Sequence, residues 1–458
     1  MGNEHWEETT LGEITDVIGG GTPDTSNPQY FNAEKGIPWL TPKDLSGYAD
    51  KFISHGERFL SKTGLNDSSA KLLPPGAVLF TSRAPIGYVA IAANEICTNQ
   101  GFKSFICPKG VNNTYLYYYL IYSRDDLQEM GTGTTFKEIS GSKAKTIPIV
   151  IPPFAEQHRI VDKLDALLPK VKSAKARLEK IPRILKKFRQ SVLAAACSGR
   201  LTEDWREGTD TLSDEIETDL PKGWKWIELN TILPKGGIFD GPFGSRLKTS
   251  DYTVSGVRVI RLENVGHLNF IADKKTYVSK EKYETLKKHT VGEGDIIFSS
   301  FINDEIRACK LPKMKAVAKA DCFTLRPNGA MIDKTYLLLN LVCRESFNRL
   351  TENIHGVSRP RINTTQLKQL NIRWCNLTEQ HEIVRRVENL FKLADSLESK
   401  YKKAMAAVEK IEQAILAKAF RGELAAQDPA DEPASELLKR IKKEKETAGK
   451  GKTIKSRA

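Results

Sequence analysis

No run of apolar residues in this chain approaches the roughly 18 needed to cross a bilayer as a helix. The densest stretch, Tyr336 to Cys343, is far too short. The seven cysteines are odd in number, irregularly spaced and never arranged as Cys-x-x-Cys. That argues against a disulfide scaffold or a structural zinc site and for a reducing compartment. The first residues, Met1-Gly2-Asn3-Glu4-His5-Trp6, are polar and acidic, unlike the basic and then apolar pattern of a secretory signal. A cytoplasmic protein with no membrane association is expected.

Catalytic patterns are also missing. Gly451-Lys452-Thr453 ends like a phosphate-binding loop, but the first glycine of that motif would fall on Glu446. Ile151-Pro-Pro-Phe154 lacks the side-chain oxygen with which amino-methyltransferases accept a hydrogen bond from the target amine. Gly131-Thr-Gly133 has no strand–helix context, Pro23-Asp24 with Glu34-Lys35 lacks nuclease spacing, and no Gly-x-Ser-x-Gly elbow exists. The seven histidines are scattered, so no metal site is expected. His158 and His381 are read as packing or capping residues.

What the chain does contain is one segment written twice. Glu156-Gln-His158 through Ser198-Gly-Arg-Leu201 corresponds to Glu379-Gln-His381 through Arg421-Gly-Glu-Leu424, at a constant offset of 223 residues. In the first copy apolar residues recur in alternating steps of four and three, at Ile160, Leu164, Leu167, Val171, Ala174, Leu178, Ile181, Leu185, Phe188 and Val192. In the second they are Ile383, Val387, Leu390, Ala394, Leu397, Tyr401, Ala404, Val408, Ile411 and Ile415. This is a heptad seam, and the simplest partner for each copy is the other. Pro152-Pro153 precedes the first copy, Thr378 is the expected N-cap of the second, and Gly199 and Gly422 stand where helices stop. A continuous helix over 155–197 would be roughly 64 Å long. Pro182 should interrupt the first copy, and the second, without proline, should be straighter.

Between the repeats, short apolar runs alternate with turns, as in Ala77-Val-Leu-Phe80 after Pro74-Pro75-Gly76 and Asp295-Ile-Ile-Phe298 after Gly292-Glu-Gly294. Trp6…Leu11…Ile14 matches Trp224…Leu229…Ile232, and Phe80-Thr-Ser82 matches Phe298-Ser-Ser300. The chain is therefore read as α+β: two mixed α/β domains (1–153 and 204–376) separated by two long helices (154–203 and 377–425). The helices form an antiparallel coiled coil with a pseudo-two-fold axis. Residues 426–458 are read as a basic tail, with a short helix around Ser435–Lys443 and otherwise disordered. The net charge of +13 is unevenly placed, with −3 in 1–153, +8 in 154–200, +4 in 201–376, +1 in 377–424 and +3 in the tail. An excess of this kind suits a polyanion partner. A stiff spacer between two related readers suits a bipartite site on duplex DNA, whose groove faces repeat every 34 Å or so.

These residues carry a family likeness. Ile149-Val-Ile-Pro-Pro-Phe-Ala-Glu-Gln-His-Arg-Ile160, Phe188-Arg-Gln-Ser-Val-Leu193, Ser198-Gly-Arg-Leu-Thr202, Glu379-Gln-His-Glu-Ile-Val-Arg-Arg386 and Ile415-Leu-Ala-Lys-Ala-Phe-Arg-Gly-Glu-Leu424 resemble the conserved helices of type I restriction–modification specificity subunits, of the enteric-type branch. Asn99-Gln-Gly-Phe-Lys103 and Asp240-Gly-Pro-Phe-Gly-Ser-Arg-Leu-Lys248 resemble recurring segments of their target-recognition domains. The resemblance covers about residues 1–425. It implies a non-catalytic subunit that reads a split, asymmetric DNA site. It also implies two methyltransferase subunits with S-adenosylmethionine and adenine-N6 chemistry, and two restriction subunits using ATP and Mg. One departure is Arg373-Trp-Cys-Asn-Leu-Thr378, where the family commonly has a proline-rich lead-in. Two other readings stay open: a self-sufficient methyltransferase, and a DNA-binding regulator or architectural coiled-coil protein acting without enzyme partners.

Base reading needs Arg or Lys for guanine and Asn or Gln for adenine. In the first domain Thr41, Lys43, Arg83, Asn99, Gln100, Lys103 and Lys137 are the candidates. In the second they are Ser245, Arg246, Lys248, Arg261, Asn264, Arg307, Arg359, Arg361 and Asn363. Gly133 with Thr134-Thr135, and Gly356 with Ser358, are candidates for phosphate approach by backbone N–H groups.

Overall fold

The structure, a computed structural model, describes residues 5–31, 36–133, 137–207, 220–352 and 360–455. It divides into two units, Met1–Leu178 with Lys403–Ala458, and Glu179–Lys402. The division cuts across both repeat helices, so each unit holds one α/β domain, part of one copy and part of the other.

In unit 1 a five-stranded sheet has the order Asp16–Gly19, Phe102–Ile106, Val78–Thr81, Val89–Ala92, Phe52–Ile53. Its central strand Val78–Thr81 is buried throughout, which is why it reads as an apolar run rather than an alternation. A three-stranded sheet (Arg58–Leu60, Ile37–Leu40, Cys97–Thr98) adds a second layer, and Glu7–Thr10 pairs antiparallel with Pro148–Ile151. Unit 2 repeats the frame. Ile296–Ser299 sits between Cys322–Leu325 and Ala308–Lys310, and Lys225–Glu228 pairs antiparallel with Asn371–Trp374. Its second sheet is larger, with five strands in the order Tyr252–Thr253, Thr276–Val278, Val257–Ile260, Ala316–Ala318, Thr290–Val291.

Each α/β domain is locked to its repeat helix by the same bonds. Glu156 and Gln157 are fully buried, as are Glu379 and Gln380. Trp6 Nε1 donates to Glu156 Oε2 at 3.0 Å, and Trp224 Nε1 donates to Glu379 Oε2 at 3.0 Å. Gln157 Oε1 accepts from Asn112 N and Gln380 Oε1 from Asp333 N, both at 2.8 Å. Asn112 and Asp333 in turn cap the helices Asn113–Tyr122 and Lys334–Val342. Gln157 Nε2 reaches back to Pro152 O and Gln380 Nε2 to Cys375 O, so the missing prolines of the second lead-in do not alter the joint. His158 and His381 stand beside the cap residues Asn112 and Asp333, at 3.2 and 4.0 Å.

The first copy runs as Phe154–Leu178 and Ile181–Cys197, interrupted before Pro182 as expected. The second is one helix, Leu377–Phe420. Its N-terminal amides are served by Asn376, whose Oδ1 accepts from Glu379 N at 2.9 Å, rather than by Thr378. Gly199 and Gly422 adopt φ of +76° and +73°, the left-handed stop that a side chain would strain. In unit 1, Ile160 and Leu164 share a core with Leu416, Ala419 and Phe420. In unit 2, Val192, Leu193 and Ala196 share one with Ile383 and Val387. Within each unit the start of one copy thus lies with the end of the other, the antiparallel sense.

Two sequence expectations need correction here. The strict heptad seam fails at Leu397 and Ile411, which are 43% and 49% exposed. The other seam positions of the long helix, Ile383, Val387, Leu390, Ala394, Tyr401, Ala404, Val408 and Ile415, are buried or half-buried. Leu167, Val171, Leu178, Leu390 and Val408 are half-buried, and Leu185 is buried. The tail is the second correction: the short helix expected around Ser435–Lys443 is present, but it is longer and packs on unit 1. Ala434–Lys455 is a helix, and Ala434, Leu437 and Ile441 enter the unit 1 core beside Trp6 and Leu11. Lys445 Nζ donates to Gly12 O (3.0 Å) and Thr15 O (2.7 Å). Lysine-rich composition hid the apolar face formed by Ala434, Leu437 and Ile441.

The two locks differ in charge balance. Glu379 Oε1 accepts from Thr202 Oγ1 and pairs with Arg206. Glu156 Oε1 has no partner, and burial raises the Glu156 pKa above the usual glutamate value. Glu379→Gln should therefore cost roughly 3–5 kcal/mol, and Glu156→Gln about 1 kcal/mol or less. Because the folded-state pKa of Glu156 is raised, its contribution is present below ~4.3 and lost as pH rises through the folded value. Thermal unfolding of the full chain at several pH values reads both effects, and Glu156→Gln should flatten that part of the profile.

Candidate nucleic-acid interface

In both units polar side chains gather at the end of the central strand, where buried Ser82 and Ser300 stand. In unit 1 Ser82 N donates to Gly101 O, and Ile139 N donates to Ser82 O. In unit 2 the same bonds join Ser300 N to Asp321 O and Ile362 N to Ser300 O. The loop before the repeat helix is thereby stitched to the strand end, and everything carried on either is brought to one place.

Unit 1 brings together Arg83, Asn99, Gln100 and Lys103. Lys103 is buried on the strand Phe102–Ile106, and its Nζ reaches Ser82 Oγ (3.3 Å), Gln100 O (3.4 Å) and Glu138 Oε1 (3.4 Å). Arg83 Nη1 lies 3.5 Å from the other oxygen of Glu138. Asn99 Oδ1 accepts from Gly101 N, shaping the turn that exposes Gln100. Thr22 Oγ1 donates to Gln100 Oε1. Lys137 is exposed beside Glu138. Two candidates lie elsewhere: Thr41 forms a capping box with Asp44, and Lys43 is an exposed partner of Glu57. Thr134 and Thr135 lie outside the described residues.

In unit 2 the segment starting at Asp240 is ordered by its first residue. The partly buried Asp240 carboxylate accepts from Gly241 N (2.7 Å) and Asp321 N (3.0 Å), and burial raises its pKa. A Cβ on Gly241 would stand 2.2 Å from Ala318 O, so only glycine permits this approach. His289 Nδ1 contacts Asp240 O at 2.9 Å, and desolvation lowers its pKa, keeping the ring neutral near pH 7. On this base the turn Gly244–Arg246 presents exposed Phe243, Ser245 and Arg246, with Lys248 exposed just beyond. Arg361 pairs with Asp321, whose carboxylate also accepts from Ser300 Oγ at 3.0 Å. Arg307 is tethered to Ser299 Oγ (3.2 Å) and Leu262 O (3.3 Å). Arg261 is half-buried, 3.3 Å from Glu263 and over the Tyr252 ring.

Two unit 2 candidates are structural. Asn264 is completely buried, and its amide is committed to Arg261 N, Ile271 O and Lys274 O; its proposed base contact is withdrawn. Asn363 is the N-cap of Thr364–Lys368, bonding Gln366 N at 2.9 Å. Arg359, Gly356 and Ser358 fall outside the described residues. Sequence reasoning missed Glu138, Asp321 and His289. Acidic residues were not sought on a DNA-facing surface, although Glu138 and Arg361 stand at the same 223-residue offset as the repeat helices. No cluster of metal-ligating side chains exists among the described residues, and none of their helices is long and apolar enough to cross a membrane.

Comparison with known proteins places these units. The profile of the type I restriction modification DNA specificity domain matches residues 3–183 and 236–405. The chain is 36% identical to the type I restriction enzyme MjaIX specificity subunit of Methanocaldococcus jannaschii, over 50% of this chain and about half (51%) of that protein's length. It is 34% identical to the EcoBI specificity subunit of Escherichia coli, over 69% of each chain. A solved chain from work on complex assembly and conformational transition of the type I R-M system superposes with a TM-score of 0.69. It is 19% identical, over 92% of this chain and 98% of that one.

The assignments separate reader from frame. Asn264→Ala should destabilise the protein by roughly 2–3 kcal/mol, since it strands a buried N–H and two carbonyls. Asn363→Ala should cost about 1 kcal/mol through loss of the cap. Chemical denaturation of the full chain measures both, and an Asn264→Ala protein of unchanged stability would restore that side chain to the candidate readers.

Proposed function

Because the chain belongs to the type I restriction–modification DNA specificity family, we propose that it is the DNA-reading and assembly subunit of such a complex, working in the cytoplasm. Each unit reads one half of a split, asymmetric site on duplex DNA. Two methyltransferase subunits carry S-adenosylmethionine and modify adenine N6, and two restriction subunits use ATP and Mg. This chain supplies position and discrimination, while the bond-making groups reside on its partners.

The observation that carries this reading is the pair of polar clusters at equivalent ends of one repeated frame, Ser82 in unit 1 and Ser300 in unit 2, built from different side chains. A repeated frame with different edge chemistry is what reading two unlike half-sites requires. The tethered guanidinium groups of Arg307 and Arg361 and the exposed Arg246 fit hydrogen bonding to guanine O6 and N7. Lys43, Lys137 and Lys248 are exposed point charges suited to phosphate. On the long helix, exposed Leu393 and Leu397 in unit 2 and Ile411 in unit 1 fit a protein partner, here the methyltransferase subunits.

Sequencing methylated adenines in cells that carry this chain with its methyltransferase partner tests the proposal. The expected result is one bipartite motif. Site-specific binding by the lone chain with an unchanged methylome would favour a regulator acting without enzyme partners. Arg246→Ala should weaken recognition at one base pair of one half-site by roughly 1–3 kcal/mol and leave the other half-site intact. Equal loss at both half-sites would remove Arg246 from the reading surface.

A further inference from the structure

The 223-residue offset of the helices extends backwards into the recognition domains. Glu138 and Arg361 each stand 18 residues before the buried glutamate of their repeat, and each is followed by isoleucine and then by a helix cap, Ser140 or Asn363. Their backbones match as well. Glu138 bridges Arg83 and Arg361 bridges Phe301, the residues that follow Ser82 and Ser300. The next amides, Ile139 N and Ile362 N, donate to the two serine carbonyls at 3.0 and 2.9 Å. One seat on the frame thus holds opposite charges in the two units.

At both seats the side chain is held from one side and open on the other. The Glu138 side chain is 37% exposed, with Arg83 Nη1 at 3.5 Å and Lys103 Nζ at 3.4 Å. The Arg361 side chain is 47% exposed, paired with Asp321 and 5.8 Å from the Phe301 ring. A carboxylate facing duplex DNA is repelled by phosphates unless cations offset it, and Glu138 has two. Both contacts are long for charge-assisted hydrogen bonds, so lone pairs remain open to an outside donor. Asp321, itself fixed by Ser300 Oγ, holds Arg361 through Nη2 and leaves other N–H groups of the fork for an outside acceptor.

We infer that this seat reads a base in each unit with opposite hydrogen-bond polarity: Glu138 accepts from an exocyclic amino group, cytosine N4, while Arg361 donates to guanine O6 and N7. The inference rests on the DNA-reading function proposed above and adds to it Glu138 as a reader, the base it takes, and the shared seat that makes it the counterpart of Arg361. It also assigns Arg83 and Lys103, nominated as readers, to positioning and neutralising Glu138. A closed ion-pair knot, the competing account, would leave no edge of either group open.

The test uses the full chain in complex with its methyltransferase partner, as Glu138→Gln and Arg361→Lys variants. Methylated motifs are mapped and half-site mismatches assayed, with thermal unfolding recorded for each variant. Glutamine keeps the size of the side chain and adds a donor, so Glu138→Gln should relax the requirement for cytosine at one base pair of half-site 1. Discrimination there should fall roughly ten- to hundredfold, with adenine gaining and half-site 2 unchanged. Arg361→Lys should do the same at one guanine of half-site 2 alone. Unchanged motifs in both variants, or uniform loss across a half-site with lowered unfolding temperature, would overturn the inference and leave an ion-pair knot. A lack of any split motif with the unsubstituted chain would instead strike the proposed function, and this inference with it.

Discussion

A carboxylate and an amide, adjacent in sequence and wholly buried, fasten each recognition domain to its helix. The glutamate takes an indole N–H from the first strand region, and the glutamine takes the backbone N–H at the cap of a domain helix. These bonds reach different parts of the domain, one through Trp6 or Trp224 and one through Asn112 or Asp333. Buried polar groups are costly unless satisfied, so domain and helix cannot rotate against each other without stranding several of them. Any function that requires the domain to hold a fixed direction relative to its helix depends on this joint.

The joint is completed differently in the two units, and the difference follows from what succeeds each glycine stop. After Gly199 the chain offers Thr202 and Arg206, which satisfy and neutralise Glu379. After Gly422 the corresponding residues are Ala425 and Pro429, which bring neither a hydroxyl nor a cation. Unit 1 closes instead with the C-terminal segment: Asp431, in the loop before the last helix, pairs with Arg159, and Leu437 and Ile441 of that helix fill the core. The carboxylate there keeps an unpartnered oxygen and a raised pKa. Apolar burial by the tail takes the place of electrostatic satisfaction.

Much of this was legible in the sequence, for identifiable reasons. The repeat helices, their stops at Gly199 and Gly422, the interruption before Pro182 and the antiparallel sense all follow from local signals or from chain direction. The strands announced themselves where burial on both faces makes an unbroken apolar run, as at Val78–Thr81. What was not legible depends on tertiary partners. Asn264 has the composition of a base reader and the environment of a core residue. Leu397 obeys the heptad, yet it stands exposed while Leu390 and Val408 on the same seam are half-buried. The tail helix was expected around Ser435–Lys443, but its packing through Ala434, Leu437 and Ile441 was hidden among its lysines. Glu138 was passed over because a single acidic residue looks wrong on a surface meant for DNA until the two cations beside it are seen.

A duplicated frame constrains where divergence can occur. Residues of the central strands are buried on both faces, and the lock ties the strand region to the helix, so changes there would cost stability in either unit. The ends of the strands and the loop before each helix are held by backbone bonds, from Ser82 and Ser300 to the isoleucines opposite. Those bonds are indifferent to the side chains carried alongside. Gly101 in one unit is therefore matched by Asp321 in the other, Arg83 by Phe301 and Glu138 by Arg361, without disturbance to the frame. Main-chain stitching frees the side chains at that edge from structural work, which lets two copies of one fold present unlike hydrogen-bonding patterns from the same place.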